Sequence, residues 1–206
     1  MKIESPSEFV VDVHPISQSS GHVLDGGDCG YCCVAGLFNL PSIISAYEFV
    51  EKRMKSGWER RQSMCAWRWE FLLESLGLPN KDKRVPFRYY KTGVVPNPWD
   101  NLNWPRMIKR KIKRGNILIA SIRFKGSPPA PPRTCGDSDH NVIINGWKFD
   151  WVPHPTLPGA KTGTIYIRVS CSVRGTYWIE WSDLVYWHGA CPLFVINVDA
   201  ARKAAV

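Results

Sequence analysis

The sequence lacks several features that would assign it at once to a class of protein. Its first residues, Met1 to Pro6, contain neither the basic start nor the apolar run of an export signal. Aliphatic runs such as Ile117 to Ala120 are far too short to cross a membrane. The composition is not that of a disordered chain either, because 44% of the 206 residues are hydrophobic. We therefore expect a cytoplasmic protein with no membrane span, folded as one domain over residues 1–206.

Cysteines are present in an odd number, which disfavours a secreted scaffold held together by paired disulfides. The seven are Cys29, Cys32, Cys33, Cys65, Cys135, Cys171 and Cys191. A chain of this length with unpaired cysteines is more typical of a reducing compartment. We expect mainly reduced thiols, so that one of them is available for chemistry.

Acidic residues are the scarcer charged class, with 18 Asp and Glu against 27 Lys and Arg. The densest basic run is Lys109 to Arg114, and the apolar residues Trp104, Met107, Ile108 and Ile112 recur around it at helical spacing. This pattern predicts the solvated face of an amphipathic helix rather than a nucleic-acid site. Nucleic acid is therefore not an expected partner, whereas an acidic partner surface fits the net charge of +9.

The order of the predicted elements indicates an α+β fold. Helices are predicted in the first part of the chain, at Cys29 to Leu40, Ser42 to Met54 and Cys65 to Leu76, and the basic helix ends at Gly115. Strands are predicted after it, at residues 116–124, 141–149, 164–169, 177–181 and 193–198, with one early strand at residues 9–13. Helices followed by antiparallel strands favour helices packed on one side of a sheet. The final residues, 200–206, read as a frayed helix, and the segments 126–133 and 152–163 as loops.

Cys29 has the sequence context of an activated thiol. It follows Gly26-Gly27-Asp28 and begins a helix of small and apolar residues. A helix N-terminus lowers the pKa of a thiol and supplies backbone amides that bind an oxyanion. Gly30 adds no side chain, so we expect a substrate carbonyl to approach these amides. Cys29 is thus the candidate nucleophile.

His140 is the candidate general base. It precedes the apolar strand Val142-Ile143-Ile144 and follows the polar loop Cys135 to Asp139. A histidine at the mouth of a strand can face a cleft while the strand holds its backbone rigid. An imidazole can take the proton of a thiol and later return it to a leaving group.

Several motifs resemble those of the bacteriocin-leader-processing peptidases, a branch of the papain-like cysteine peptidases, and of their stand-alone relatives. The run Asp28-Cys29-Gly30-Tyr31-Cys32-Cys33-Val34-Ala35 resembles their nucleophile helix, and Val13-His14-Pro15-Ile16-Ser17-Gln18 their oxyanion-hole segment. The run His140-Asn141-Val142-Ile143-Ile144-Asn145-Gly146-Trp147 resembles their histidine strand. Two more segments, residues 113–120 and 178–184, match in the same order.

The resemblance implies a papain-like fold, with the N-terminal nucleophile helix packed on a C-terminal antiparallel sheet. It implies a peptidase or amidase that acts on a peptide or protein through a Cys29–His140 acyl-enzyme, with no cofactor and no metal. Gln18 would supply the oxyanion-hole amide. The third residue, usually Asp or Asn on the strand after the histidine, has no clean counterpart in Ile165 to Ser172, and Asp150 is the nearest carboxylate in sequence.

Gln18 and the nucleophile each have an alternative. The segment between Gln18 and Cys29 is longer than in the family, so residues 19–27 must loop out, and His22 within it is a substitute for Gln18. Cys29-Gly30-Tyr31-Cys32 also echoes a papain pattern in which Cys32 would be the nucleophile.

Other classes of function also fit parts of the pattern. The Cys29-x-x-Cys32 spacing suits a thioredoxin-like redox centre, although no strand signal precedes it. Cys29, Cys32, Cys135 and His140 have the chemistry of zinc ligands but lack a second close pair. A non-catalytic binding protein or an acyltransferase on the same scaffold remains an alternative to the hydrolase.

Overall fold

The computed structural model describes residues 7–18, 27–54, 64, 66–78, 103–122, 140–188 and 191–206. The predicted loop of residues 126–133 and Cys135 lie outside these residues. The helices in the described part are α1 (Cys29–Phe38), α2 (Ile43–Glu51), α3 (Ala66–Ser75), α4 (Asn103–Ile112), α5 (Trp181–His188) and α6 (Val198–Ala205). Within these ranges no single helix is long and apolar enough to span a membrane. Helices α1 and α2 meet both criteria only when they are taken together, and the angle between them is 87°.

The strands form one antiparallel sheet. They are β1 (Ser7–Val10), β2 (Asn116–Ile122), β3 (His140–Pro153), β4 (Lys161–Cys171), β5 (Gly175–Glu180) and β6 (Cys191–Asn197). Their order is β5-β4-β3-β2-β6, and β1 also pairs with β3. Strand β3 is long enough for two partners to share one edge, because β2 pairs with residues 140–144 and β1 with residues 146–149. The predicted combination of helices with an antiparallel sheet is confirmed.

The prediction that the helices pack on one side of the sheet is wrong. Helices α1, α2, α3 and α6 contribute to a core that includes Ile117, Ile119 and Ile143. Helices α4 and α5 contribute to a second core, with Leu118 and Val142. Since neighbouring residues of a strand point to opposite faces, these two cores lie on opposite faces of the sheet.

The amphipathic interpretation of the basic run is confirmed for α4. Its apolar residues Ile108 and Ile112 are buried at 0% and 2% exposure. The aliphatic stem of Lys109 brings its Nζ to 4.2 Å from the centre of the Trp147 ring, which is a cation–π contact. The remaining basic side chains include exposed Arg106 and Arg110.

Helix ends agree with the signals in the sequence. Asn39 ends α1 in the left-handed conformation, with φ of 54°, before Pro41. The Ser42 hydroxyl accepts the backbone N–H of Ser45 at 3.0 Å and thereby caps α2. Gly115 adopts φ of 73° after α4, at the entrance to β2.

Two features of the C-terminal half differ from the sequence prediction. The predicted loop of residues 152–163 is shorter than expected and covers residues 154–160, because β3 continues to Pro153 and β4 begins at Lys161, with the His154 N–H bonded to the Ala160 carbonyl at 2.9 Å. Helix α5 was not predicted at all. Its aromatic residues are typical of a strand in sequence, but the segment is helical, and Leu184 is buried in the second core.

The N-terminal segment after β1 crosses the sheet at an irregularity in β3. The register of β3 against β4 shifts between Ile144 and Gly146. The Asn145 carbonyl accepts the N–H of Val11 at 2.8 Å, and its side-chain Nδ2 donates to the Val13 carbonyl at 2.7 Å. The segment then continues over α1, where the N–H of Ile16 meets the Cys32 carbonyl. This path leads to Gln18.

We predict that Gly36→Ala destabilises the protein by about 1 to 3 kcal/mol, because an added Cβ would lie 1.8 Å from the His14 carbonyl oxygen. Urea unfolding monitored by tryptophan fluorescence measures the change. Helix propensity alone would favour alanine by about 1 kcal/mol. A stabilised variant would therefore show that the N-terminal segment does not press on α1.

Candidate active site

Four segments of the chain meet at one end of the sheet. They are the N-terminal segment at Gln18, the first turn of α1, the start of β3 at His140 and the end of β4 at Cys171. The segments are far apart in sequence, and hydrogen bonds join them. The candidate nucleophile, base and oxyanion donor therefore lie on segments that converge.

Cys29 is the first residue of α1 and is 5% exposed. Its Sγ accepts the backbone N–H of Asn141 at 3.3 Å and is 3.9 Å from the Asn141 Nδ2. The nitrogen of Asn141 belongs to the peptide bond that follows His140. The thiol is therefore held against the backbone that carries the candidate base.

Gly30 does not leave open space beside the thiol, contrary to the sequence prediction. A Cβ at this position would lie 2.2 Å from the Cβ of Met64 and 3.2 Å from the Asn141 Nδ2. The Asn141 amide in turn donates to the Met64 carbonyl at 3.1 Å. The glycine lets this contact form, and Met64 occupies the space that a substrate was expected to enter.

His140 begins β3 and is 4% exposed. Its Nε2 lies 3.1 Å from the Sγ of Cys171. Burial, together with the positive charge of Arg174, lowers the pKa of His140 to about 4. The imidazole is therefore neutral at pH 7 and able to accept a proton.

The pKa of Cys29 is raised above its ordinary value, whereas the sequence predicts a lowered pKa. Burial raises it, and the hydrogen bonds from Asn141 and Gly30 only partly offset that effect. The helix N-terminus is present as expected, but desolvation of the thiolate is the stronger effect. The resting pair is thus a neutral thiol and a neutral imidazole rather than an ion pair.

Gln18 lies beside the end of β4. Its backbone N–H donates to the Ser172 carbonyl at 3.0 Å, and its Oε1 accepts the Ser172 hydroxyl at 3.4 Å. A hydrogen bond to Ser172 also acts on the thiol of Cys32, in the first turn of α1. These contacts place Gln18 beside Ser172, the residue after Cys171; residues 19–26, with His22, lie outside the described residues.

Asp150 does not lie near the candidate base. It stands ten residues after His140 on the same strand, which corresponds to about 30 Å at roughly 3.3 Å per residue. Its carboxylate accepts its neighbour's backbone N–H, that of Trp151, at 2.9 Å and pairs with Lys148 at 3.2 Å. The extended hairpin carries Asp150 away from the imidazole, so it does not orient His140.

The neighbouring cysteines of α1 are less accessible than Cys29. Cys32 and Cys33 are both 0% exposed. Burial raises the pKa of Cys32 to about 12 and that of Cys33 well above its ordinary value. Cys33 also donates its thiol hydrogen to the Asn141 carbonyl, with 3.6 Å between the heavy atoms. These contacts favour Cys29 over Cys32 as the nucleophile.

The zinc hypothesis finds no support in the part of the chain that the structure describes. No group of three or more His, Cys, Asp or Glu residues there is arranged to hold a metal ion. Cys135, the fourth ligand of that hypothesis, lies outside the described residues. The cysteines with described side chains, Cys29, Cys32, Cys33 and Cys171, are free thiols.

Comparison of the chain with protein-family models, curated proteins and solved structures gave no match. The interpretation of the site therefore depends on its own residues and on their contacts.

We predict a pH-dependent loss of stability that originates at His140. Its pKa falls from an ordinary value of 6.5 to about 4 on folding, so the unfolded chain binds more protons between these values. The free energy of unfolding should then decrease as the pH is lowered from 6.5 to 4, by up to about 3 kcal/mol. Urea unfolding at several pH values measures the decrease.

His140→Gln is the matched control for this measurement, because glutamine does not titrate. The difference in unfolding free energy between the two proteins should shrink as the pH falls through this window. Parallel pH curves for both proteins would contradict a neutral, buried His140.

Proposed function

We propose that this chain is a cysteine-dependent hydrolase of amide or thioester bonds, built on a papain-like scaffold. The observation that carries the proposal is the 3.3 Å hydrogen bond from the Asn141 N–H to the Cys29 Sγ, at the N-terminus of α1. It holds a helix-terminal thiol against the peptide bond after His140. The proposed nucleophile thus comes from α1 and the proposed base from β3, and the contact between α1 and the sheet fixes their relative position.

In the proposed reaction the Cys29 sulfur attacks the substrate carbonyl carbon while His140 takes the thiol proton. The sulfur–carbon bond forms as the carbonyl π electrons move to oxygen. Collapse of this intermediate breaks the bond to the leaving group, which receives the proton from His140. Water, with His140 again as base, then hydrolyses the thioester and regenerates the thiol; an amine in place of water would make the reaction an acyl transfer.

The protonation states support general-base catalysis rather than a preformed thiolate. The pKa of Cys29 is raised and that of His140 is lowered to about 4, so charge separation before attack is unfavourable. Proton transfer is then coupled to bond formation. In the proposed reaction the developing negative charge on the substrate oxygen is met by the amides at the start of α1.

Gln18 is the proposed side-chain donor to the oxyanion. Its Oε1 accepts the Ser172 hydroxyl at 3.4 Å, which leaves the Nε2 hydrogens as the proposed donors to the oxyanion. The backbone bond from Gln18 to the Ser172 carbonyl fixes the segment at the end of β4.

Acylation by p-nitrophenyl acetate tests the proposed function without knowledge of the natural substrate. Intact-mass spectrometry and peptide mapping should locate one acetyl group on Cys29. Cys29→Ala should lose it, while Cys32→Ala, a thiol three residues away, should keep it. His140→Gln should lower the acylation rate by roughly 10² to 10⁴ fold, the range expected for loss of a general base.

The acylation rate should also rise with pH around the pKa of His140, about 4, and stay level to neutral pH. An acetyl group on Cys32 would move the nucleophile to that residue. A protein that takes no acetyl group at either position would contradict the proposed function.

We predict that Gln18→Ala lowers the acylation rate of Cys29 by roughly 10² fold, since one preorganised oxyanion donor is lost. Gln18→Glu, of nearly the same size, should lose as much because a carboxylate repels the oxyanion. Unchanged folding by circular dichroism is the control. Acylation of Gln18→Ala at the rate of the unchanged protein would remove Gln18 from the oxyanion hole.

A further inference from the structure

Cys171 lies at the centre of a set of N–H groups that the sequence did not suggest. It ends β4, just before the turn to β5, and is 3% exposed. Its Sγ accepts the backbone N–H of Val173 at 3.4 Å and that of Arg174 at 3.3 Å. The Nε2 of His140 lies 3.1 Å from the same sulfur. A tight turn and an imidazole therefore converge on one thiol.

The His140 tautomer decides which partner donates in this hydrogen bond. In the proposed function Nδ1 is the nitrogen that takes up the proton of Cys29, so Nε2 carries a hydrogen and donates it to the Cys171 sulfur, as the two backbone amides do. The tautomer of a histidine is set in this way by the hydrogen bond that one of its nitrogens makes.

The same contacts disfavour Cys171 as a second nucleophile. A sulfur attacks a carbonyl through a lone pair that is directed at the carbon, and here two backbone N–H groups and the imidazole surround it. Cys171 also ends a strand, whereas Cys29 begins a helix whose amides can receive an oxyanion. The two thiols thus have different surroundings, and each suits a different role.

We infer that Cys171 is the positioning residue of His140 and orients the imidazole through its sulfur, where a hydrolase of this kind would carry a carboxylate or an amide. This inference rests on the proposed function, in which His140 is the base for Cys29. Cys171 acts through the imidazole and takes no part in bond formation. Its place in the sheet is fixed by the pairing of Cys171 with Gly175 across the β4–β5 turn.

A thiol in this position has a consequence for the imidazolium that forms during catalysis. A carboxylate would stabilise that cation with a full negative charge, and a thiol does so less. The positive charge of Arg174 also disfavours the cation. Placing a carboxylate at residue 171 should therefore raise the pKa of His140 above about 4.

The test compares Cys171→Ala, Cys171→Asn and Cys171→Asp in the acylation of Cys29 by p-nitrophenyl acetate. Loss of the orienting group should slow acylation in the alanine variant by at least roughly tenfold, and up to ~10⁴ fold as in other triads. Asparagine and aspartate should restore the orienting group and react at least roughly tenfold faster than the alanine variant. The aspartate variant should also shift the midpoint of the pH–rate profile upward, which a purely structural role would not do.

A spectroscopic measurement tests the contact independently of activity. In protein labelled with ¹⁵N-histidine, the NMR signals of His140 should show a proton on Nε2, and Cys171→Ala should give a mixture of tautomers. Cys171→Ser is the smaller change, for use if the alanine variant does not fold. Cys33→Ala, another buried thiol, is the control and should leave the tautomer unchanged.

Three results would overturn the inference: an acetyl group on Cys171, equal acylation rates for all three variants, or His140 protonated on Nδ1 in the unchanged protein. Failure of the proposed function has a different signature. In that case Cys29 takes no acetyl group even though the His140 tautomer depends on Cys171, and the contact is then purely structural.

Discussion

Burial of the first half of β3 on both faces is the constraint on which the arrangement depends. Val142, Ile143 and Ile144 are all within 1% of full burial. Alternate residues of this strand therefore pack against helices on opposite faces of the sheet, one set against α1 and the other against α4. The end of such a strand is held from both sides, and His140 stands at that end. The rigidity of the proposed base thus originates in the packing of the strand behind it.

The same burial determines the chemistry that the site can perform. Desolvation opposes both the thiolate of Cys29 and the imidazolium of His140, whose pKa values move in opposite directions away from neutrality. An exposed pair would exchange its proton before the substrate arrives. In the proposed reaction the buried pair exchanges it only when a substrate carbonyl and its oxyanion donors share the developing charge. The proposed mechanism thus makes the reactivity of Cys29 depend on bound substrate, at the expense of a weak resting nucleophile.

Local signals in the sequence were sufficient to predict most elements. The spacing of apolar residues located α1 to α4, and the caps at Asn39 and Ser42 are short-range effects that the residues themselves encode. The two-sided packing was also encoded, since Ile117 to Ala120 has no alternation of polar residues; that run fits a strand buried on both faces. Helix α5 was missed because its aromatic residues are equally typical of strands.

The candidate site was less predictable, because its pairs are set by strand register and by turns. Cys29 and His140 could be selected as residue types at suitable positions, whereas Asp150 was chosen by proximity in sequence. Proximity in sequence is misleading in an antiparallel hairpin. The residues that follow His140 along β3 lie progressively farther from it, and β4 comes back beside His140 only near Cys171. A residue of β4 that contacts His140 must therefore lie about as many positions after the hairpin turn as His140 lies before it. That criterion selects the segment from Ser170 to Ser172, where the side chain that contacts the Nε2 of His140 is the thiol of Cys171 rather than a carboxylate.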